Sequence, residues 1–171
     1  MKQKYDAKKW FIPLGALVLV LAIALVTKYF VLSKTSGEDY KIYMVAINDN
    51  GKRGKRIGCG DSLVAVKWQT VRPNRLVDVY QDMVGVQGYD FGDGLNNPLV
   101  ESQLSVVSAT VDDSGVARVY LSGAFSVSGK CDAERIRAQL EQPAFQFKGV
   151  SKILVYINNI LLSDAIKQQT N

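Results

Sequence analysis

The residues of this chain whose chemistry is most constrained are two cysteines, Cys59 and Cys131. The chain contains no histidine. That removes the commonest general base, and with it Ser-His-Asp and Cys-His catalysis. Gly58-Cys59-Gly60-Asp61-Ser62 has the outline of a nucleophile turn, but it is not G-x-S-x-G and no base accompanies it. Its expected role is a tight turn that presents Cys59 for pairing, with Asp61 or Ser62 capping nearby backbone N–H groups. The cysteines are not spaced as CxxC, and without histidine two thiolates make a poor zinc site. Asp90, Asp93, Asn96 and Asn97 follow D-x-x-D-x-x-N-N, which does not match a calcium-binding EF-hand loop and reads as turn chemistry. We therefore expect no catalytic residue, no resident metal and no cofactor.

The state of the cysteines depends on where they lie relative to Phe11–Leu32. This run carries a single charge, Lys28, within its 22 residues. As a helix it would span roughly 33 Å, enough for a hydrocarbon core of about 30 Å. Lys2, Lys4, Lys8 and Lys9 precede it against Asp6 alone, so the N-terminus is expected in the cytoplasm and the C-terminal part outside. Trp10 and Tyr29 suit the headgroup region at the two ends. The rival reading is a cleaved signal peptide, because Ala22-Ile23-Ala24 fits a small-x-small site. Against it, Leu25-Val26 extend the apolar run past that cut, and no cysteine follows the span to accept a lipid. The expected layout is a basic tail at 1–10, a transmembrane helix at 11–32, a linker at 33–39, one domain at 40–165 and a short tail at 166–171. Outside the membrane, an even cysteine count favours a Cys59–Cys131 disulfide. Closing a loop of about 70 residues would add roughly 4 kcal/mol by chain entropy. Two buried free thiols, or a redox or metal role, are the alternatives.

The net charge of +5 suggests nucleic acid until it is divided along the chain. Residues 1–34 hold six lysines and one aspartate, which removes six of the 21 basic and one of the 16 acidic residues. The remaining 15 and 15 cancel, so the outer part has no excess positive field for phosphates, and no nucleic-acid partner is expected. Lys52-Arg53 and Lys55-Arg56 form a local basic patch on a glycine-rich loop, with anionic headgroups or wall polymer as the alternative contact.

The elements that would hold these residues can be read from periodicity. Lys41–Ile47 and Ser62–Gln69 read as strands separated by Asn48-Asp49-Asn50-Gly51 and a loop over Gly51–Gly60. A helix is expected from Arg72 to Val84, with Pro73 in its first turn and Gly85 beyond its end. Leu76, Val77, Tyr80, Met83 and Val84 form its apolar stripe. Residues 87–98 read as a loop. Ser102–Val111 and Val116–Leu121 should pair across Asp112-Asp113-Ser114-Gly115. A second helix is expected from Asp132 to Gln142, with Ala133, Ile136 and Leu140 inward. Asp132, Glu134, Arg135, Arg137 and Glu141 would form its solvated face. Lys152–Asn158 is a final strand. Tyr40, Tyr43, Trp68, Tyr120 and Phe125 read as sheet positions, with a sugar-binding surface as the alternative. The order predicts an α+β domain, with a small, mostly antiparallel sheet and two helices on one face.

One combination of motifs is specific. Ile57-Gly58-Cys59-Gly60-Asp61-Ser62-Leu63-Val64 follows a Lys-Ile-Tyr strand, and Gly94-Leu95-Asn96-Asn97 precedes Leu104-Ser105-Val106. Gly129-Lys130-Cys131-Asp132 leads into Arg137-Ala138-Gln139-Leu140-Glu141-Gln142, and Gln146-Phe147 precedes Val155-Tyr156-Ile157-Asn158. In this, residues 40–164 resemble the GerMN domain, the sporulation and spore germination domain. The resemblance implies a non-enzymatic extracytoplasmic domain, similar to the ring-building motifs of envelope-spanning complexes, with no catalytic residues to carry over. The chain departs from the sporulation proteins in holding one such domain and a helical anchor, so a role in germination does not follow.

Two functions are expected on these grounds. The first is a membrane-tethered structural module that self-associates or docks an envelope protein. The second is a module that binds cell-wall glycan or a small envelope ligand through exposed aromatics of the 87–98 loop, Tyr89 and Phe91 foremost.

Overall fold

The computed structural model describes residues 39–69 and 75–170. The expected membrane span at 11–32, most of the linker, and the start of the first helix with Pro73 lie outside them. The described residues form two sheets rather than the single sheet expected, and three helices rather than two.

The first sheet grows from β1 (Asp39–Ala46) and β3 (Ser62–Gln69), which pair antiparallel from Asp39↔Gln69 to Ala46↔Ser62. Alternation dictates which face is buried: Tyr40, Ile42 and Met44 enter the core, while Lys41 stays exposed and Tyr43 half-buried. Three short strands complete the sheet: β2 (Lys55–Arg56), β4 (Asp90–Gly92) and β5 (Leu95–Asn96). The order is β2-β3-β1-β5-β4. β4 and β5 lie in the stretch read as a loop; strands of two or three residues are too short to show alternation.

The second sheet has the order β6-β7-β8-β9, with β6 (Gln103–Val111), β7 (Val116–Ala124), β8 (Lys152–Ile157) and β9 (Ile160–Leu161). The β6–β7 hairpin forms where expected. Its turn is organised by Asp112, whose carboxylate accepts hydrogen bonds from Ser114 N and Val116 N at 3.0 Å each and from Ser114 Oγ at 2.6 Å. Gly115 has φ +79, and a Cβ there would meet Gly149 O at 2.3 Å, so only glycine fits. β6 carries a bulge between Val106 and Ser108. Leu104 and Val106 face the core before it and Ala109 after it, leaving Val107 as the extra residue, 65% exposed. β7 and β8 run parallel, joined by a crossover that contains the second helix.

α1 (Leu76–Gly85) buries Leu76, Val79, Tyr80 and Met83, a stripe at i, i+3, i+4 and i+7. Gly85 is its last residue and Val86 the cap, one position beyond the expected end. α2 (Lys130–Glu141) buries Ala133, Ile136, Gln139 and Leu140. α3 (Leu162–Thr170) takes up the region expected as a C-terminal tail from 166. Leu162, Ala165 and Ile166 are its inward face. It starts after the β8–β9 turn, where Asn158 and Asn159 have φ 51 and 65, the left-handed pair of a two-residue hairpin. α1 packs on β6 and β1, α2 on β1, β3 and β8, and α3 on α2 and β8. One hydrophobic cluster spans both sheets and all three helices. Each fully buried Leu, Ile, Val or Met in it contributes about 1.5–3 kcal/mol.

Candidate functional site

A dense polar network among the described residues joins the 48–62 loop to α2. Asp49 Oδ2 accepts hydrogen bonds from Ser62 Oγ at 2.7 Å and Arg53 N at 2.8 Å, and its Oδ1 from Arg53 Nε at 3.0 Å. The Ser62 hydroxyl, with the Arg53 amide behind it, lowers the Asp49 carboxyl to a pKa of about 2. Ser62 Oγ in turn accepts from Gly51 N at 2.7 Å. Arg53 continues outward, donating from Nη1 to Asp93 O at 2.6 Å and from Nη2 to Gly94 O at 3.3 Å. Asp93 thus meets the loop through its backbone carbonyl.

Asp61 and Ser62 cap backbone N–H groups as expected, but Asp61 does more. It is fully buried, accepts from Asn48 N at 2.9 Å, and takes Arg135 Nε on its other oxygen at 2.6 Å. Arg135 was expected on a solvated face; its side chain is 18% exposed and holds a buried carboxylate. Helical periodicity places a residue on a face but does not tell what that face meets. Gly58 lets the turn approach α2: a Cβ there would lie 2.9 Å from Glu134 Cγ.

Cys59 and Cys131 are joined in a disulfide with Cα atoms 5.7 Å apart, across 72 residues of sequence. Cys59 has φ 58, a left-handed conformation flanked by two glycines, and is solvent-exposed. Cys131 lies in the first turn of α2. The bond therefore ties the basic loop to the helix that carries Arg135, four residues on.

A second feature sits on β1. Beyond the reach of β5, the edge of β1 opposite β3 has no strand partner among the described residues. Two glutamines seal it. Gln146 accepts from Lys41 N at 2.8 Å and donates to Lys41 O at 2.9 Å, imitating a neighbouring strand. Gln139, fully buried on α2, donates to Tyr43 O at 2.8 Å and Asn97 Oδ1 at 3.1 Å. Sequence reasoning missed both. Gln139 carried a signal, a polar residue inside the apolar stripe of its helix; Gln146 carried none.

Tyr40, Tyr43, Trp68 and Tyr120 take the expected sheet positions, while Phe125 lies just past the end of β7. Tyr40 is buried, and its hydroxyl donates to Asp82, which also accepts from Trp68 Nε1 at 3.1 Å. Tyr43, Trp68, Tyr120 and Phe125 are half-buried. Tyr120 stacks on Tyr156 with centroids 4.8 Å apart on the outer face of the second sheet. Tyr89 and Phe91 border different clefts. Tyr89 borders a cleft of about 510 Å³ with Glu101, Lys130, Asp132 and Arg135. Phe91 borders a different one of about 610 Å³ with Trp68 and Asp82. A third depression of about 190 Å³ lies beside Lys55 and Glu141, and burial raises the Glu141 carboxyl above its ordinary value.

Two solved structures match this arrangement of strands and helices. One is the tandem GerMN domains of the sporulation protein GerM from Bacillus subtilis, with a TM-score of 0.53, 12% identity and 74% of this chain covered. The other is the first GerMN domain of the same protein, with a TM-score of 0.50, 16% identity and 72% of this chain covered. The fold is GerMN-like. The match takes in 40% of the tandem chain and 85% of the single domain, so the GerMN-like unit here corresponds to less than half of the tandem structure. No protein-family model matches the chain, and no curated protein matches it. The disulfide, the Asp61–Arg135 pair and the glutamine seal all lie within this GerMN-like unit. None is arranged as a nucleophile, base and orienting group.

Proposed function

We propose that this protein is a non-catalytic assembly module of the bacterial cell envelope, held to the membrane by residues 11–32 with its GerMN-like domain outside the cytoplasm. The observation that carries this reading is a GerMN-like fold following an apolar run long enough to span a bilayer. The buried chemistry fits it: the charged and amide side chains of the junction are spent on holding elements together. Tethering raises effective concentration, so weak contacts between domains suffice. The test is fractionation of cells expressing the full-length chain, followed by cross-linking in the intact envelope. Recovery in the membrane through alkaline washing, with protease access to the C-terminal domain from outside, and cross-linked species above the monomer are expected. A released chain, or a monomer with no cross-linked partner, would overturn the proposal.

The cleft at Tyr89 supports a second reading, a binding module for a glycan or small envelope ligand. Its walls combine an exposed aromatic ring with Glu101, Lys130 and Asp132. Because Phe91 borders a separate cleft, Tyr89→Ala should abolish retention on purified wall polymer and Phe91→Ala should leave it unchanged. Equal loss from both variants would count against that cleft.

A further inference from the structure

Exposed or strained disulfides are the ones that exchange with external thiols. The Cys59–Cys131 bond meets both conditions on its loop side. Cys59 is solvent-exposed and lies in the turn Gly58–Gly60, where neither neighbour has a side chain to shield it. Its backbone is left-handed at φ 58, a conformation that is costly for a residue with a Cβ. Gly60 beside it adopts the same region at φ 73 without that cost. The helix side differs. Cys131 is half-buried, the second residue of α2, and lines the cleft at Tyr89 together with Lys130 and Arg135. The N-cap, Gly129, gives the first-turn amides no side-chain acceptor. A thiolate at Cys131 is therefore favoured by the positive end of the helix. Asp132, the acidic residue of that turn, is turned back and accepts from Ser128 N at 3.1 Å. The two sulfurs are thus unequal: Cys59 is the accessible electrophile and Cys131 the better leaving group.

We propose that the Cys59–Cys131 bond is a thiol-exchange site, attacked at Cys59 Sγ by an external dithiol. The attacking thiolate forms a new S–S bond to Cys59 Sγ, the bond to Cys131 breaks, and its electron pair leaves on Cys131 Sγ. The second thiol, once deprotonated, attacks its own partner sulfur in the mixed disulfide and expels Cys59 as a thiolate. The two protons of the dithiol end on Cys59 and Cys131. The dithiol departs as a disulfide, oxidised by the two electrons that reduce the protein. A monothiol stops at the mixed disulfide and so marks the sulfur attacked. Reduction loosens the loop without dissolving the domain. Asp61 still holds Arg135 Nε at 2.6 Å and Asn48 N at 2.9 Å, and Asp49 still holds Ser62 at 2.7 Å. The stretch between, with Lys52, Lys55 and Arg56, loses its covalent link to α2. The site thereby couples the hold on the basic loop to the thiol state of the surroundings. This goes beyond the assembly reading and does not depend on it.

The test uses the oxidised full-length chain in mild detergent. Dithiothreitol should reduce the bond at a rate proportional to its concentration, about tenfold or more faster than global unfolding in the same buffer. Reduced glutathione, followed by an acid quench and peptide mass spectrometry, should place the adduct on Cys59, with Cys131 recovered as the free thiol. The reduced protein should keep its circular dichroism. Hydrogen exchange should quicken over residues 49–60 while β8 stays protected. Reduction that plateaus at the unfolding rate would show that thiols reach the bond only in the unfolded chain, and would overturn the proposal. Adducts chiefly on Cys131 would overturn the assignment of electrophile and leaving group. Loss of protection in β8 on reduction would overturn the local release of the loop.

Discussion

β1 and β6 begin from the same problem and meet it in opposite ways. Each is an eight- or nine-residue strand with backbone groups along one side that no strand of the domain fully pairs. Along β1, Gln146 and Gln139 reach in and take up the groups of Lys41 and Tyr43. Along β6 the neighbouring element is α1, which packs on that strand more extensively than on β1. The difference lies in the neighbouring elements: α2 and the turn after it are fastened beside β1 by the disulfide and by Asp61–Arg135. The fold closes one strand with side-chain hydrogen bonds and flanks the other with a helix.

The largest expected effect comes from releasing the fastening. Replacing both Cys59 and Cys131 with Ser should destabilise the domain by about 4 kcal/mol, given the length of the loop closed. The check is chemical denaturation; an unchanged midpoint would show that α2 holds its place without the bond. Arg135→Ala comes next, at about 3 kcal/mol, because it strands the buried Asp61 carboxylate. Arg135→Lys should recover part of that loss. Gln139→Ala should cost about 1–3 kcal/mol by leaving Tyr43 O without its partner in the interior. Hydrogen exchange at β1 should quicken in that variant while β8 stays protected. Val107→Lys, at the exposed bulge of β6, should change stability by no more than about 0.5 kcal/mol. If the Gln139 and Val107 variants cost the same, the contrast between the two edges fails.

The smallest effect is a pH dependence in the loop. The Asp49 carboxyl is depressed in the folded state to a pKa of about 2, and that of Asp112 is also pushed well below its usual range by Ser114 and Arg118. Their contributions are therefore complete above about pH 4, the ordinary aspartate value, and are lost as pH falls toward 2. Asp49→Asn should lower the melting temperature slightly at neutral pH and flatten the decline between pH 4 and 2. A decline as steep as that of the parent would place the acid-sensitive group elsewhere.

Much of the fold was legible because hydrophobic period reports local structure directly. The spans of β1, β3, β6, β7, β8 and α2 came out within about three residues, and the turns at Asn48–Gly51 and Asp112–Gly115 were marked by their own side chains. β4 and β5 were not legible, being too short for a period, and neither was α3, whose three apolar contacts follow a strand without a break. Within the junction, the cysteines and the capping roles of Asp61 and Ser62 could be read. The partner of Asp61 could not, since 74 residues separate it from Arg135.

The sequence by itself determined that histidine-based catalysis is closed to this chain, that residues 35–171 carry no net charge, and where most of the longer strands and helices lie. These follow from composition and from contacts within a few residues. Only the tertiary structure decided that the strands divide into two sheets, that β7 and β8 run parallel, that Cys59 meets Cys131, and that glutamines close β1 while α1 packs on β6. These are pairings across tens of residues. Many of them satisfy the same local patterns, and the choice among them falls to the packing of one shared core.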